Sequence, residues 1–180
     1  LITYTVNWRA LLVGIVSDSH DNLKVVEKAV PMLRRSGIDL LIHLGDIISP
    51  FTLLKFLQIE CRVLILIGNN DGDLLSLREV AHKAGATLRH YSHVVEVDGF
   101  KVLLMHGQGS AEQTLEIVNS LARSQSFDVV MYGHTHKIDI RTVGKCLVIN
   151  PGELCGYLTG NSTLALFDTS TKKVEIISIE

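Results

Sequence analysis

Three cysteines among 180 residues, three prolines, one tryptophan and no surplus of either charge sign are what this sequence has little of. Cys61, Cys146 and Cys155 lie far apart without a C-x-x-C pair. Two of them fall inside apolar runs, where a thiol behaves as a small hydrophobe, so a reduced, cytoplasmic setting is expected. Lys plus Arg number 17 against 19 Asp plus Glu, a net charge of −2. That leaves no broad basic surface, which excludes long nucleic acid as the main partner. No apolar stretch approaches the roughly 20 residues needed to span a bilayer. The early run Leu11 to Val16 leads into charged chemistry without a cleavage-site pattern, so a soluble, unsecreted protein with no membrane partner is expected. Leu1 to Arg9 begins without Met and reads as an extra strand, an unusual start or an appended segment, with no role assigned.

What the sequence does have is a hydrophobic content of 47%, enough at this length to bury a core, and residues 1–180 are read as one domain. Apolar runs at Leu11–Val16, Leu40–Leu44 and Val63–Ile67 alternate with helical patterns at Leu23–Arg35, Phe51–Leu57 and Leu74–Lys83. This βαβαβα order predicts a parallel sheet with crossover helices. Gly37 is expected to stop the first helix, and Asp21 and Ser49 to cap helix starts. Beyond it, Val94–Val97 and Lys101–Met105 are joined by Asp98-Gly99, a hairpin dipeptide. A helix follows at Glu112–Arg123, then short strands at 129–132, 138–143, 147–149, 163–167 and 174–179, with turns at Gly144-Lys145 and near Thr169 to Lys172. Parallel and antiparallel pieces together imply an α/β protein, two mixed sheets packed face to face with helices outside.

Five apolar runs each hand a ligand-type residue to a strand's carboxyl end: Asp18-Ser-His20, Gly45-Asp46, Gly68-Asn69-Asn70-Asp71, His106-Gly107 and Gly133-His134-Thr-His136. In α/β sheets the site lies in the crevice beyond those ends. Asp18 and His20 are two apart, as are His134 and His136, so each pair can face one cluster on an extended chain. The set is two carboxylates, one amide oxygen and four imidazoles, a mixed N/O shell that suits Mn²⁺, Fe²⁺, Co²⁺, Ni²⁺ or Zn²⁺. Seven ligands exceed one ordinary ion. They suffice for two ions about 3.5–4 Å apart with a bridging carboxylate.

Order and spacing of these five blocks, from Leu11 onward, resemble the calcineurin-like metallophosphoesterases. The compact length is similar to the small bacterial and archaeal phosphodiesterase branch. The resemblance implies a four-layer α/β/β/α sandwich without a cap domain. It further implies that Asp18, His20 and His136 hold one ion, that Asn69, His106 and His134 hold a second, and that Asp46 bridges. Two divalent transition-metal ions are the implied cofactors, manganese first, with nickel, cobalt, iron or zinc as alternatives. The implied reaction is in-line attack of a bridging hydroxide on a small phosphodiester, carried through Asp46, His106 and Asn69. Many relatives have His after the motif Asn, where it can donate a proton to the leaving oxygen. Here that position is Asn70, so esters with acidic, aryl leaving groups are expected to be preferred.

Each block alone has an ordinary explanation as a cap, a turn or a buried histidine; five together do not. His43 is expected to be buried and hydrogen-bonded near Asp46, and His82, His90 and His93 to lie on the surface. Arg34-Arg35 suits a helix end. Asp71 reads equally as an orienting group and as a cap for the helix near Leu74. Asn150-Pro151-Gly152 resembles a family segment beside the site, often followed by Ser where this chain has Glu153, a carboxylate able to repel anionic substrate or to make an outer bond. Rival functions are a phosphomonoesterase or nucleotidase, a nuclease for short or cyclic nucleotides, and a protein-binding scaffold of the retromer-subunit type. Protein phosphatase activity is not expected, since Gly45-Asp46-Ile47-Ile48-Ser49-Pro50 lacks the Asp-Arg-Gly that follows in those enzymes. A homo-oligomer is also entertained.

Overall fold

Runs such as Leu-Val-Gly-Ile-Val and Leu-Leu-Ile, apolar at every position, can bury both strand faces only in a sheet covered on both sides. The computed structural model describes residues 10–180, so the reading of Leu1 to Arg9 lies outside the described residues. Strands β1 (Leu12–Val16), β2 (Leu40–His43), β3 (Arg62–Leu66) and β4 (Thr87–Arg89) run parallel, linked by helices α1 (Leu23–Ser36), α2 (Pro50–Phe56) and α3 (Leu74–Lys83). The chain continues through β5 (Ser92–Val97), β6 (Phe100–Met105), α4 (Ala111–Arg123), β7 (Val129–Tyr132), β8 (Ile138–Val143) and β9 (Cys146–Pro151). It closes with β10 (Ser162–Asp168) and β11 (Lys173–Ile179), which return antiparallel to the edge of the first sheet. Sheet order is β11-β10-β1-β2-β3-β4 and β5-β6-β7-β9-β8.

Three apolar clusters define four layers. Val26, Leu33, Leu53, Phe56 and Leu77 pack α1–α3 onto one face of the six-stranded sheet. Val13, Ile15, Ile42 and Leu64 on its other face meet Val102, Leu104, Met131 and Ile149 of the five-stranded sheet. Val118 and Ala122 of α4 cover the outside of that second sheet against Val130, Tyr132 and Val148. The expected α/β/β/α sandwich of two mixed sheets is the observed architecture.

Local differences have physical causes. The three-residue strand β4 was not read from the sequence, because it is half-buried and too short to show a period. Asp21 does not cap α1; Asn22 holds that position, and the Asp21 carboxylate accepts from the hydroxyls of Ser49 at 2.7 Å and Thr52 at 2.6 Å. Ser49 is the residue before α2 as expected, but its hydroxyl is given to Asp21 rather than to the helix backbone. Gly37 ends α1 as read, in the left-handed region at φ 67° with its N–H on the Arg34 carbonyl.

Candidate metal centre

Within each sheet the parallel strands end at the same edge, and those edges meet. Asp18 and His20 follow β1, Asp46 follows β2 and Asn69 follows β3; His106 follows β6, and His134 and His136 follow β7. Hydrogen bonds join the two groups across the sandwich. The His134 N–H donates to Asp18 Oδ2 at 3.0 Å, and His106 Nδ1 donates to the Leu44 carbonyl at 2.8 Å. All seven side chains named from the sequence come together, in two linked sets. In one, His20 Nε2 lies 3.4 Å from Asp46 Oδ2, and His136 Nε2 lies 3.5 Å from Asp18 Oδ1. In the other, Asn69 Oδ1 is 3.0 Å from His106 Nε2 and 2.8 Å from His134 Nδ1, while His106 Nε2 is 3.4 Å from Asp46 Oδ1. Asp46 therefore touches both sets, one carboxylate oxygen to each.

The backbone is bent to achieve this. Asp18, His20, Asp46, His134 and His136 have φ between 42° and 67°, the left-handed region that side chains other than glycine rarely adopt. Such positions cost on the order of 1–3 kcal/mol each and persist only where the surroundings over-determine them. Gly68 shows the crowding most directly: a Cβ there would fall on the Asp46 carboxylate.

Hydrogen placement gives the set its chemistry. His106 Nδ1 faces a carbonyl, His134 Nε2 faces the Gly109 carbonyl at 2.7 Å, and His136 Nδ1 faces the Glu153 carboxylate at 2.7 Å. These partners can only accept, so each ring spends its hydrogen outward and a neutral ring turns a lone pair inward. What those lone pairs face is also acceptors: Asp46, Asn69 and Asp18 oxygens. Asp18 Oδ1 and His20 Nε2 are buried with no hydrogen-bond partner. Imidazole lone pairs set against acceptor oxygens, with orphaned buried atoms among them, fit a cation, and the outward bonds are the usual orienting shell of metal-binding imidazoles. The carboxylates make the centre favour positive charge. Burial pushes the Asp46 carboxyl up, but the neighbouring His106 ring and the two Asn70 donors outweigh it and hold it well below the usual carboxylate range. Burial likewise opposes a charged His106, yet the neighbouring Asp46 and Asp18 carboxylates raise its pKa.

Several supporting residues take definite places. Asp71 is no cap, since α3 is capped by Asp73 accepting from Ser76 N. Its carboxylate collects the N–H groups of Asp46 at 3.1 Å, Ile48 at 2.6 Å and Gly68 at 2.7 Å. Burial pushes the Asp71 carboxyl up, with the Gly68 and Ile48 N–H groups opposing. His43 is buried and bonded as expected, but to Ser19 Oγ at 2.9 Å and to the Gly45 N–H rather than to Asp46. Burial, aided by His106, drives its pKa down to about 3, so the ring is neutral. Glu153 is fully buried and binds His136, the Leu158 and Thr159 N–H groups and the Cys155 thiol, so it faces protein rather than substrate. Burial raises its carboxyl, but those donors prevail and set it at about 2. His82 and His90 are exposed and His93 is half-buried.

Three contributors were not singled out by sequence reasoning for what they do here. Asn70 donates its side-chain amide to Asp46 Oδ2 at 2.7 Å and its N–H to Oδ1 at 2.8 Å. Asn150 Nδ2 donates to the Gly133 carbonyl at 3.2 Å and to Thr135 Oγ1 at 3.0 Å, fixing the loop that carries His134 and His136. The Cys155 sulfur lies within 4.8 Å of ligand atoms of His20 and His136. The first two are polar residues adjoining glycine-flanked blocks, a usable signal; the third has none.

Comparison with known proteins shows the family of the chain. Residues 11–172 match the family described as the calcineurin-like phosphoesterase superfamily domain. A phosphodiesterase of Methanocaldococcus jannaschii is 35% identical over 169 residues, 93% of this chain and 99% of that protein. The solved structure of an archaeal phosphodiesterase superposes with a TM-score of 0.86 at 34% identity, covering 94% of this chain and all of the other. A Vps29 variant from Entamoeba histolytica, 19% identical over 94% of this chain and 100% of its own with a TM-score of 0.64, shares the fold. The chain belongs to the calcineurin-like phosphoesterase superfamily.

Proposed function

We propose that the protein is a divalent-metal-dependent phosphodiesterase acting on small phosphodiesters. The observation that carries this reading is the cluster of facing lone pairs in which Asp46 offers one oxygen to each of two ligand sets. Asp18, His20 and His136 would hold one ion and Asn69, His106 and His134 the other, with Asp46 shared. Bound there, divalent ions supply Lewis acidity, lowering the pKa of water and offsetting charge on phosphoryl oxygens.

The chain's own residues prepare that chemistry. Glu153, Gly109 and Leu44 hold the imidazole hydrogens outward, so the inner nitrogens present lone pairs. Asp71 and Asn70 fix the Asp46 loop and its carboxylate. Asn70 carries no dissociable proton, so the leaving oxygen departs without help from that side chain, which favours acidic leaving groups. The N/O donor set suits manganese, with nickel, cobalt, iron and zinc also compatible. The three free thiols suit a reducing cytoplasm. The chain is read as one domain.

The test is metal content by mass spectrometry followed by a mono- and diester panel across Mn²⁺, Ni²⁺, Co²⁺ and Mg²⁺. The expected result is metal-dependent hydrolysis of an aryl phosphodiester, abolished in Asp46→Ala. Bound metal with no turnover of any ester would favour a scaffold instead.

A further inference from the structure

Beside the Asn69 end of the site opens a cleft of about 430 Å³ lined by Asn69, Tyr91, Gly107, Gln108, Gly109 and His134. That volume is large enough for a ring system. Beyond the Asn69 and His134 edge, where the proposed ion would sit, no Lys, Arg, Asp or Glu is among its lining residues, so that part of the cleft suits the uncharged part of an ester.

Both walls are fixed relative to the candidate ligands. Strand β5 runs antiparallel to β6 and begins where β6 ends, with Ser92 opposite Met105. Tyr91, just before it, therefore stands at the rim of the site, and its carbonyl accepts the His106 N–H at 2.8 Å. Tyr91 is 49% exposed, a large aromatic residue left at the mouth of a polar site. On the other wall the Gly109 carbonyl accepts from His134 Nε2. Thr114 Oγ1 holds Gln108 by both its N–H at 2.9 Å and its carbonyl at 3.0 Å. The wall is bare at Gly107, where a Cβ would come within 2.5 Å of His134 Cβ.

We propose that this cleft is a binding subsite for a flat aromatic group of the phosphoester, a nucleobase or an aryl ring, with Tyr91 stacking on its face. The inference deepens the phosphodiesterase reading and rests on it. A planar ring gains dispersion and area burial against Tyr91 without needing a charged partner, whereas an alkyl group leaves the ring wet. Stacking of this kind raises affinity by roughly 5- to 150-fold.

The experiment is calorimetric titration of the manganese-loaded protein with ligands paired by head group. AMP against ribose 5-phosphate tests a nucleobase; phenylphosphonate against methylphosphonate tests an aryl ring. In the wild type at least one aromatic member binds about 5- to 150-fold tighter than its partner. Tyr91→Ala brings that ratio to about one and Tyr91→Phe keeps it, since phenylalanine retains the π-face. Because the ratio is internal to each variant, a change in overall stability does not mask it. Ratios near one in both wild-type arms, or a ratio that survives Tyr91→Ala, overturn the subsite while leaving the phosphodiesterase reading intact. Failure of every phosphate and phosphonate to bind removes that reading itself, and the subsite with it.

Discussion

Replacing Asp71 with Ala removes the acceptor shared by three backbone N–H groups, those of Asp46, Ile48 and Gly68. A buried donor left without a partner costs about 1–3 kcal/mol. The three cannot simply be summed, because they lie on two adjacent loops that relax together, and removing a buried carboxylate also relieves the burial that raises its pKa. A net loss of about 3 kcal/mol follows. For a domain of this size each kcal/mol moves Tm by ~2–4 °C, so the metal-free variant should melt about 6–12 °C lower by scanning calorimetry. Asp71→Asn keeps one carboxamide oxygen and should fall between. Because the displaced N–H groups flank Asp46 and Asn69, metal affinity should drop about 10- to 100-fold as well. A metal-free Asp71→Ala protein that melts within about 2 °C of wild type would refute the clamp.

Glu153→Gln should weaken ion binding about 10- to 100-fold by equilibrium dialysis, because His136 loses its charged acceptor. Its folded carboxyl sits near 2 against 4.5 for the ordinary group, so its stabilisation is complete above pH 4.5 and lost as pH falls toward 2. The variant's Tm should therefore flatten across that window. For His43 the folded pKa near 3 lies below the ordinary 6.5, so the unfolded chain takes up a proton first and stability declines as pH drops from 6.5 toward 3. His43→Asn should lack that component when Tm at pH 7.5 is compared with Tm at pH 4, and an unchanged difference would count against a neutral buried ring. Asn70→His should raise turnover of alkyl relative to aryl diesters, and an unaltered ratio would show that leaving-group protonation is not limiting.

The buried strands were legible because their composition is one-sided. Leu40–His43 and Val129–Tyr132 are buried at every position, and the Asp98-Gly99 turn joins β5 to β6 at the expected residues. The seven candidate ligands were legible too, since each follows an apolar run and five runs share one pattern. What the sequence hid is whatever depends on distance between remote positions. Asp21 looks like a cap from its neighbours, and only the packing of α2 onto α1 reveals hydroxyl partners at 49 and 52. Asp71 reads equally as an orienting group and as a helix cap until the β2 loop is brought against it. Glu153 is an acidic residue after a turn, and nothing local announces five polar groups gathered around it.

The hydrogen bonds that cross between the sheets, His134 N–H to Asp18 and His106 Nδ1 to Leu44, have a mechanical meaning. The interface beneath them is aliphatic, and apolar contact is non-directional, so it tolerates one sheet gliding over the other. A glide of one residue, about 3.3 Å, would part every one of those polar pairs. The site thus acts as a locking pin at one end of the sandwich, and the Thr169 hydroxyl on the Asp98 carboxylate pins the other, so that two polar ends hold the alignment of the greasy middle.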